Sequence, residues 1–163
     1  VNETSLVLVT HSPDETERLG ALLATLLPAG GTVALRGELA AGKTCFVRGM
    51  ARAFAGDSAI HSPTFTLVNE YGEDRRLYHM DLYRLGSIEE VAELGCEELF
   101  ESEGLCAVEW AERAEPLLPA RRVDVFFEHA GEDQRRVTIQ DRGLLPTGWQ
   151  DAVRNGTRGR SKA

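Results

Sequence analysis

Lysine is almost absent from this chain of 163 residues. There are two, Lys43 and Lys162, against sixteen arginines. Long apolar runs are absent as well. None approaches the roughly 20 residues that a membrane-spanning helix needs, so no membrane role is expected. The three cysteines, Cys45, Cys96 and Cys106, and the four histidines, His11, His61, His79 and His129, lack zinc-site spacing. An odd cysteine count fits reduced, mostly buried thiols. The opening stretch VNETSLVLVTHSPDE shows neither a basic start nor a small-residue cleavage site. The expected compartment is therefore the cytoplasm. There is no N-K-x-D guanine-reading motif, no G-x-G-x-x-G kinase loop and no ABC-type signature, which disfavours GTPases, protein kinases and ABC transporters.

Apolar residues make up 42% of the chain, enough for one cored domain. The net charge of −8 is uneven. The last ten residues, RNGTRGRSKA, carry four basic groups and no acid, whereas residues 1–153 carry fourteen basic and twenty-six acidic groups, a balance of −12. So acidic a body repels nucleic acid, and DNA is excluded as a partner. The expected organisation is a domain over residues 1–140 and a basic, partly disordered tail over 141–163.

Strand-like and helix-like patterns alternate. SLVLV (Ser5–Val9) reads as a strand. Ser12, Pro13 and Glu15 then open a helix whose apolar face is Leu19, Leu22, Leu23 and Leu26. Residues 32–36 form a second strand, and Phe46, Val47, Met50 and Phe54 mark the helix after it. TFTLVNEY (Thr64–Tyr71) and RLYHMDLYRL (Arg76–Leu85) read as a hairpin around GEDR. Ser87 and Glu90 cap a short helix, and another is expected over Cys96–Ser102. LCAVEW (Leu105–Trp110) is a buried strand, Ala111–Leu118 a short helix, and RVDVFFEH with RRVTIQD a second hairpin. The fold class is α/β, a mixed parallel and antiparallel sheet flanked by helices.

The lysine at position 43 falls in GELAAGKT, which matches G-x-x-x-x-G-K-[ST], the phosphate-binding loop. The loop comprises Gly37, Glu38, Leu39, Ala40, Ala41, Gly42, Lys43 and Thr44, with Cys45 directly after it. Gly37 and Gly42 let the backbone turn tightly, so that successive amides and the following helix N-terminus receive phosphate oxygens. Lys43 would reach the β- and γ-phosphates, and the Thr44 hydroxyl would coordinate Mg²⁺. The expected ligand is a nucleoside triphosphate. Cys45 sits at a helix start, where thiolates are favoured, although a small packing residue is the expected role.

Two apolar strands end in an acid, Asp81 in LYHMD and Glu109 in LCAVE. Either could serve the metal's water shell or the attacking water. Trp110 would anchor packing or stack on a base. Thr64, in SPTFT, is a turn residue or a loop threonine that senses the γ-phosphate through Mg²⁺.

Together, GELAAGKT, SPTFTLVNEY, LYHMDLYRL, ELG and AVEWAER make the chain resemble the TsaE (YjeE) family of bacterial tRNA threonylcarbamoyladenosine synthesis, from the first helix to about residue 120. The resemblance implies a P-loop NTPase fold and an ATPase that supports the TsaD–TsaB transferase pair. It implies cofactors ATP and Mg²⁺, and contact with tRNA only through its partners. By motif position, Lys43 and Thr44 would hold phosphate and metal, and Asp81 and Glu109 would support Mg²⁺ and hydrolysis. Trp110 would lie against adenine, and Thr64 matches a switch-like threonine. His79 and Tyr83 match motif positions without an assigned role. Ala40 departs from the family's usual glycine, at a cost on the order of 1 kcal/mol if its φ is positive. The alternatives are a small-molecule kinase, which would need an arginine-rich lid, and a nucleotide-dependent binding module that hydrolyses ATP incidentally.

Overall fold

A computed structural model describes residues 4–55 and 67–158. The elements, in chain order, are β1 (Ser5–Thr10), α1 (Pro13–Leu26), β2 (Thr32–Gly37), α2 (Lys43–Ala55), β3 (Val68–Tyr71), β4 (Leu77–Asp81), α3 (Ile88–Glu93), α4 (Cys96–Phe100), β5 (Leu105–Glu109), a 3₁₀ helix (Ala111–Leu117), β6 (Val123–His129), β7 (Arg135–Asp141) and α5 (Trp149–Arg158). The seven strands form one sheet in the order β1-β7-β6-β2-β5-β4-β3. β6, β2, β5 and β4 run parallel, and antiparallel pairs complete the sheet on both sides. This is the expected mixed sheet, with helices on both faces, of a P-loop NTPase-type fold.

Strand alternation divides the core in two. Val33 and Leu35 of β2 and Leu105 and Ala107 of β5 face the layer formed by α1, α2 and α5. Ala34, Cys106 and Val108 face the layer of α3, α4 and the 3₁₀ helix. β5 is buried along its whole length, as its continuous apolar run predicts.

Both predicted helix faces are present. Leu19 and Leu23 of α1 and Phe46 and Met50 of α2 have no exposed surface, while Leu22, Leu26 and Phe54 pack at the margin. Ser12 caps α1 by accepting a hydrogen bond from the Glu15 amide at 3.2 Å, and the Glu15 carboxylate reaches back to the amide of His11 at 2.6 Å. Two glycines let α1 and α2 touch backbone to backbone. A Cβ at Gly49 would stand 1.8 Å from the Glu17 carbonyl oxygen, and one at Gly20 would stand 2.0 Å from that of Phe46.

The first hairpin is shorter than the apolar pattern suggests. β4 stops at Asp81 because its carboxylate accepts a hydrogen bond from the Tyr83 amide at 3.1 Å, turning the chain away from the sheet. The segment after Trp110 is 3₁₀ over Ala111–Leu117, with Pro116 inside it. The segment read as a tail differs most from expectation. Asp141 accepts three amides, those of Gly143, Leu144 and Leu145, at 2.8–3.1 Å. α5 then brings Trp149, 3% exposed, and Val153, fully buried, into the core beside α1.

Asp124 on β6, fully buried, accepts hydrogen bonds from Arg122 at 3.0 Å, Arg36 at 3.1 Å and Arg142 at 2.6 Å. Arg36 also meets Glu115 of the 3₁₀ helix at 2.7 Å. Arg36 immediately precedes Gly37, so this network fixes the point where β2 gives way to the loop. Among the described residues, no helix is long and apolar enough to cross a membrane.

Candidate functional site

The parallel strands β2, β5 and β4 deliver their carboxyl ends to one edge of the sheet. Glu109 on β5 is the register partner of both Leu35 on β2 and Asp81 on β4. Ligands of open α/β sheets bind at such an edge. The loop from Gly37 to Thr44 rises between β2 and α2 directly beside it. A cleft of about 280 Å³ lies between residues 39–45 of the loop and helix start and the side chains of Arg48, Asp81, Tyr83, Glu109 and Trp110.

The loop backbone has the shape its glycines permit. Gly37 has φ 142° and Gly42 φ 110°, and a Cβ at Gly37 would stand 2.6 Å from the Phe127 carbonyl oxygen. Ala40 also lies in the left-handed region, at φ 61°, so the strain tied to its missing glycine is present. Ala41 is buried, and Leu39 projects outward with 63% of its surface exposed.

Lys43 is 4% exposed, with its ammonium folded back onto the loop. Nζ donates to the carbonyl oxygens of Gly37 and, at 2.9 Å, Glu38, and stands 4.1 Å from the centre of the Trp110 ring. Burial lowers the Lys43 pKa, and the nearby carboxylates of Glu109, Glu112 and Asp81 only partly oppose this. Thr44 donates its hydroxyl to Glu109 Oε1 at 2.9 Å. Glu109 is 2% exposed, and its other oxygen, Oε2, is hydrogen-bonded to Nε2 of the equally buried His79. Asp81 is half-buried alongside.

Trp110 adopts a left-handed backbone, φ 58°, and its side chain lines the cleft. Tyr83 packs on it, with ring centres 5.0 Å apart. The indole therefore sits at the lysine end of the cleft, where a base stack would require Lys43 to vacate the ring. Cys45 donates its thiol to the Pro13 carbonyl at 3.1 Å, and burial pushes that thiol's pKa up. The packing role is thus the one its surroundings favour, and all three cysteines are free. Thr64 lies outside the described residues.

Among the described residues, no three His, Cys, Asp or Glu side chains converge into a metal cage. The donor set nevertheless suits Mg²⁺, which takes one or two carboxylates and fills its remaining positions with phosphate oxygens and water. Thr44 Oγ1 and Glu109 Oε1 already face each other, and Asp81 is one strand away.

The structure thus gathers Lys43, Thr44, Asp81, Glu109 and Trp110 into one cleft, adds Tyr83 and Arg48 to its lining, and sets His79 behind Glu109. His79 had a signal in the sequence. It stands two residues before Asp81 on one strand, so period-two alternation puts both on the same face.

The family model for "Threonylcarbamoyl adenosine biosynthesis protein TsaE" matches residues 10–137. The chain is 40% identical over 131 residues to the tRNA threonylcarbamoyladenosine biosynthesis protein TsaE of Treponema pallidum, covering 80% of this chain and 97% of the relative. It is 39% identical to the protein of the same name from Bacillus subtilis, covering 80% and 82%. The crystal structure of Bacillus subtilis YdiB superposes with a TM-score of 0.71 at 31% identity, covering 95% of each chain.

Proposed function

The chain belongs to the TsaE family, and from that premise we propose that it is a Mg²⁺-dependent ATPase serving tRNA threonylcarbamoyladenosine synthesis, acting on a TsaD–TsaB-type transferase pair. The observation that carries this reading is the contact between Thr44 and Glu109, 2.9 Å apart at the root of a phosphate-loop lysine. It joins the hydroxyl that would meet a nucleotide's metal to the carboxylate that would govern water.

Each residue then has a task. The loop amides and the N-terminus of α2 receive phosphate oxygens. Lys43 exchanges two carbonyl oxygens for phosphate oxygens, a stronger, charge-assisted pairing. Mg²⁺, when bound, would neutralise charge developing on the phosphates, with Thr44, Glu109 and Asp81 as the residues to hold it. Glu109, buried and fixed at strand end, orients the attacking water. Trp110 and Tyr83 wall off the lysine end of the cleft from solvent.

The acidic body suits a subunit that docks on protein and leaves the tRNA to its partners. Two exposed apolar side chains, Leu39 and Tyr83, line the cleft. A partner seated there would sense whether the cleft is filled.

The test is phosphate release and ATP affinity for wild type and Glu109→Gln, with and without the transferase pair. The expected result is retained ATP binding and a loss of turnover on the order of 100-fold. Full turnover in Glu109→Gln would remove this carboxylate from the chemistry. Absence of ATP binding in wild type would overturn the reading, and phosphate transfer to a small acceptor would favour a kinase.

A further inference from the structure

His79 occupies the middle of β4, 2% exposed, with Nε2 on Glu109 Oε2. The carboxylate is thus held from two sides, by Thr44 on Oε1 and by His79 on Oε2. A carboxylate this deeply buried needs both oxygens satisfied. Because the carboxylate accepts, the histidine nitrogen facing it carries the proton.

The two contacts differ in what binding would do to them. Thr44 opens α2 at the phosphate loop, and its hydroxyl is the group a bound nucleotide's metal would claim. His79 lies below, inside the sheet, on the strand paired with β5, and the cleft does not reach it. When Thr44 turns to the ligand, Oε1 is released toward the cleft and His79 becomes the remaining anchor of the carboxylate.

We propose that His79 is a positioning residue for the ATP hydrolysis described above: it grips the inner oxygen of Glu109, so that the oxygen given up by Thr44 points into the cleft. His79 touches neither nucleotide nor water. It acts through Glu109 by fixing which way the carboxylate faces, as hydrogen-bonded neighbours of functional side chains generally do.

The proposal rests on the ATPase reading, and its test separates the two. Three variants are compared with wild type in steady-state ATP hydrolysis and calorimetric ATP binding. His79→Leu removes the donor, His79→Gln places an amide N–H about where Nε2 lies, and His79→Asn carries the same amide too short to reach. In parallel, imidazole proton spectra are recorded on the nucleotide-free protein. The expected result is a kcat at least tenfold lower for the leucine and asparagine variants, with ATP affinity within about twofold of wild type. The glutamine variant should stay within about threefold of the wild-type rate. The Nε2 proton of His79 should appear downfield and move upfield in Glu109→Gln. Should the leucine variant fail to fold, the glutamine–asparagine pair carries the comparison. Wild-type turnover in the leucine or asparagine variant, or a glutamine variant as slow as asparagine, overturns the proposal. If wild-type protein hydrolyses no ATP, the ATPase reading fails, and the positioning role in hydrolysis falls with it. The imidazole proton then still decides whether His79 grips Glu109.

Discussion

The ammonium of Lys43 stands 4.1 Å from the centre of the Trp110 indole ring. A cation at that distance is attracted to the ring face, so the free loop keeps its lysine parked against the residue that follows Glu109. Nucleotide binding would draw the ammonium off the ring and change the indole's surroundings. Titration with ATP should therefore shift Trp110 fluorescence. Trp149, the chain's other tryptophan, is buried in the core at the start of α5 and should not respond. Trp110→Phe should abolish the nucleotide-dependent signal. A response that persists from Trp149 would contradict the geometry.

Lys43→Ala should weaken ATP binding roughly 100-fold, the value of losing a charge-assisted contact of about 3 kcal/mol. Calorimetry measures it directly. The fold should survive, because the lysine's protein partners are loop carbonyls at the edge of the cleft.

Gly49→Ala should force α1 and α2 apart, since the new methyl would stand 1.8 Å from the Glu17 carbonyl oxygen, which belongs to rigid backbone. Overpacking of this kind costs about 1–3 kcal/mol, equivalent to a melting temperature lower by roughly 3–10 °C. Because α2 carries Lys43 and Thr44 at its start, ATP affinity should fall as well. An unchanged melting curve would mean that the helices have room to separate.

Asp124 sets an acid limit on stability. Burial alone would raise its pKa, but hydrogen bonds from Arg142 and Arg122, with Arg36, outweigh burial and hold the carboxyl below its ordinary value. A depressed native pKa gives stability that is complete above the unfolded value of about 3.9 and is withdrawn as pH falls through the native one. Asp124→Asn should lose about 3 kcal/mol at neutral pH, since breaking a buried ion network leaves charge uncompensated. Denaturant titrations should show that deficit shrinking below about pH 4. A deficit that is constant with pH would mean that the carboxylate's charge is irrelevant.

Ala40→Gly should stabilise the protein slightly. Relief of a left-handed alanine is worth about 1–2 kcal/mol, and the looser unfolded chain takes back about 0.4–1 kcal/mol. A rise in melting temperature of a few degrees is expected, with unchanged ATP affinity. A lower melting temperature would show that the φ of 61° is not strained.

The phosphate loop, its helix and the two strand-end acids were legible because each follows from a local rule. The loop motif fixes Gly37 to Thr44, and the ends of apolar runs fix Asp81 and Glu109. Three features were not legible in this way. α5 offers only Trp149 and Val153 as an apolar pair, between Gly148 and Gly156, too little to register as a helical stripe. The turn that follows Asp81 depends on its side chain accepting the Tyr83 amide, which the apolar spacing of LYHMDLYRL conceals. Alternation places His79 on the same face as Asp81, but its partner stays hidden until the fold brings Glu109 beside it from thirty positions away.

The scarcity of lysine has a practical consequence once Lys43 is located. Apart from Lys162 near the C-terminal end, no other side-chain amine exists in the chain. An acylating or Schiff-base reagent applied to the folded protein therefore meets a single internal target, shielded by Trp110 and tethered to the loop. The speed of its modification becomes a direct readout of how often that tether opens, and ATP should protect it.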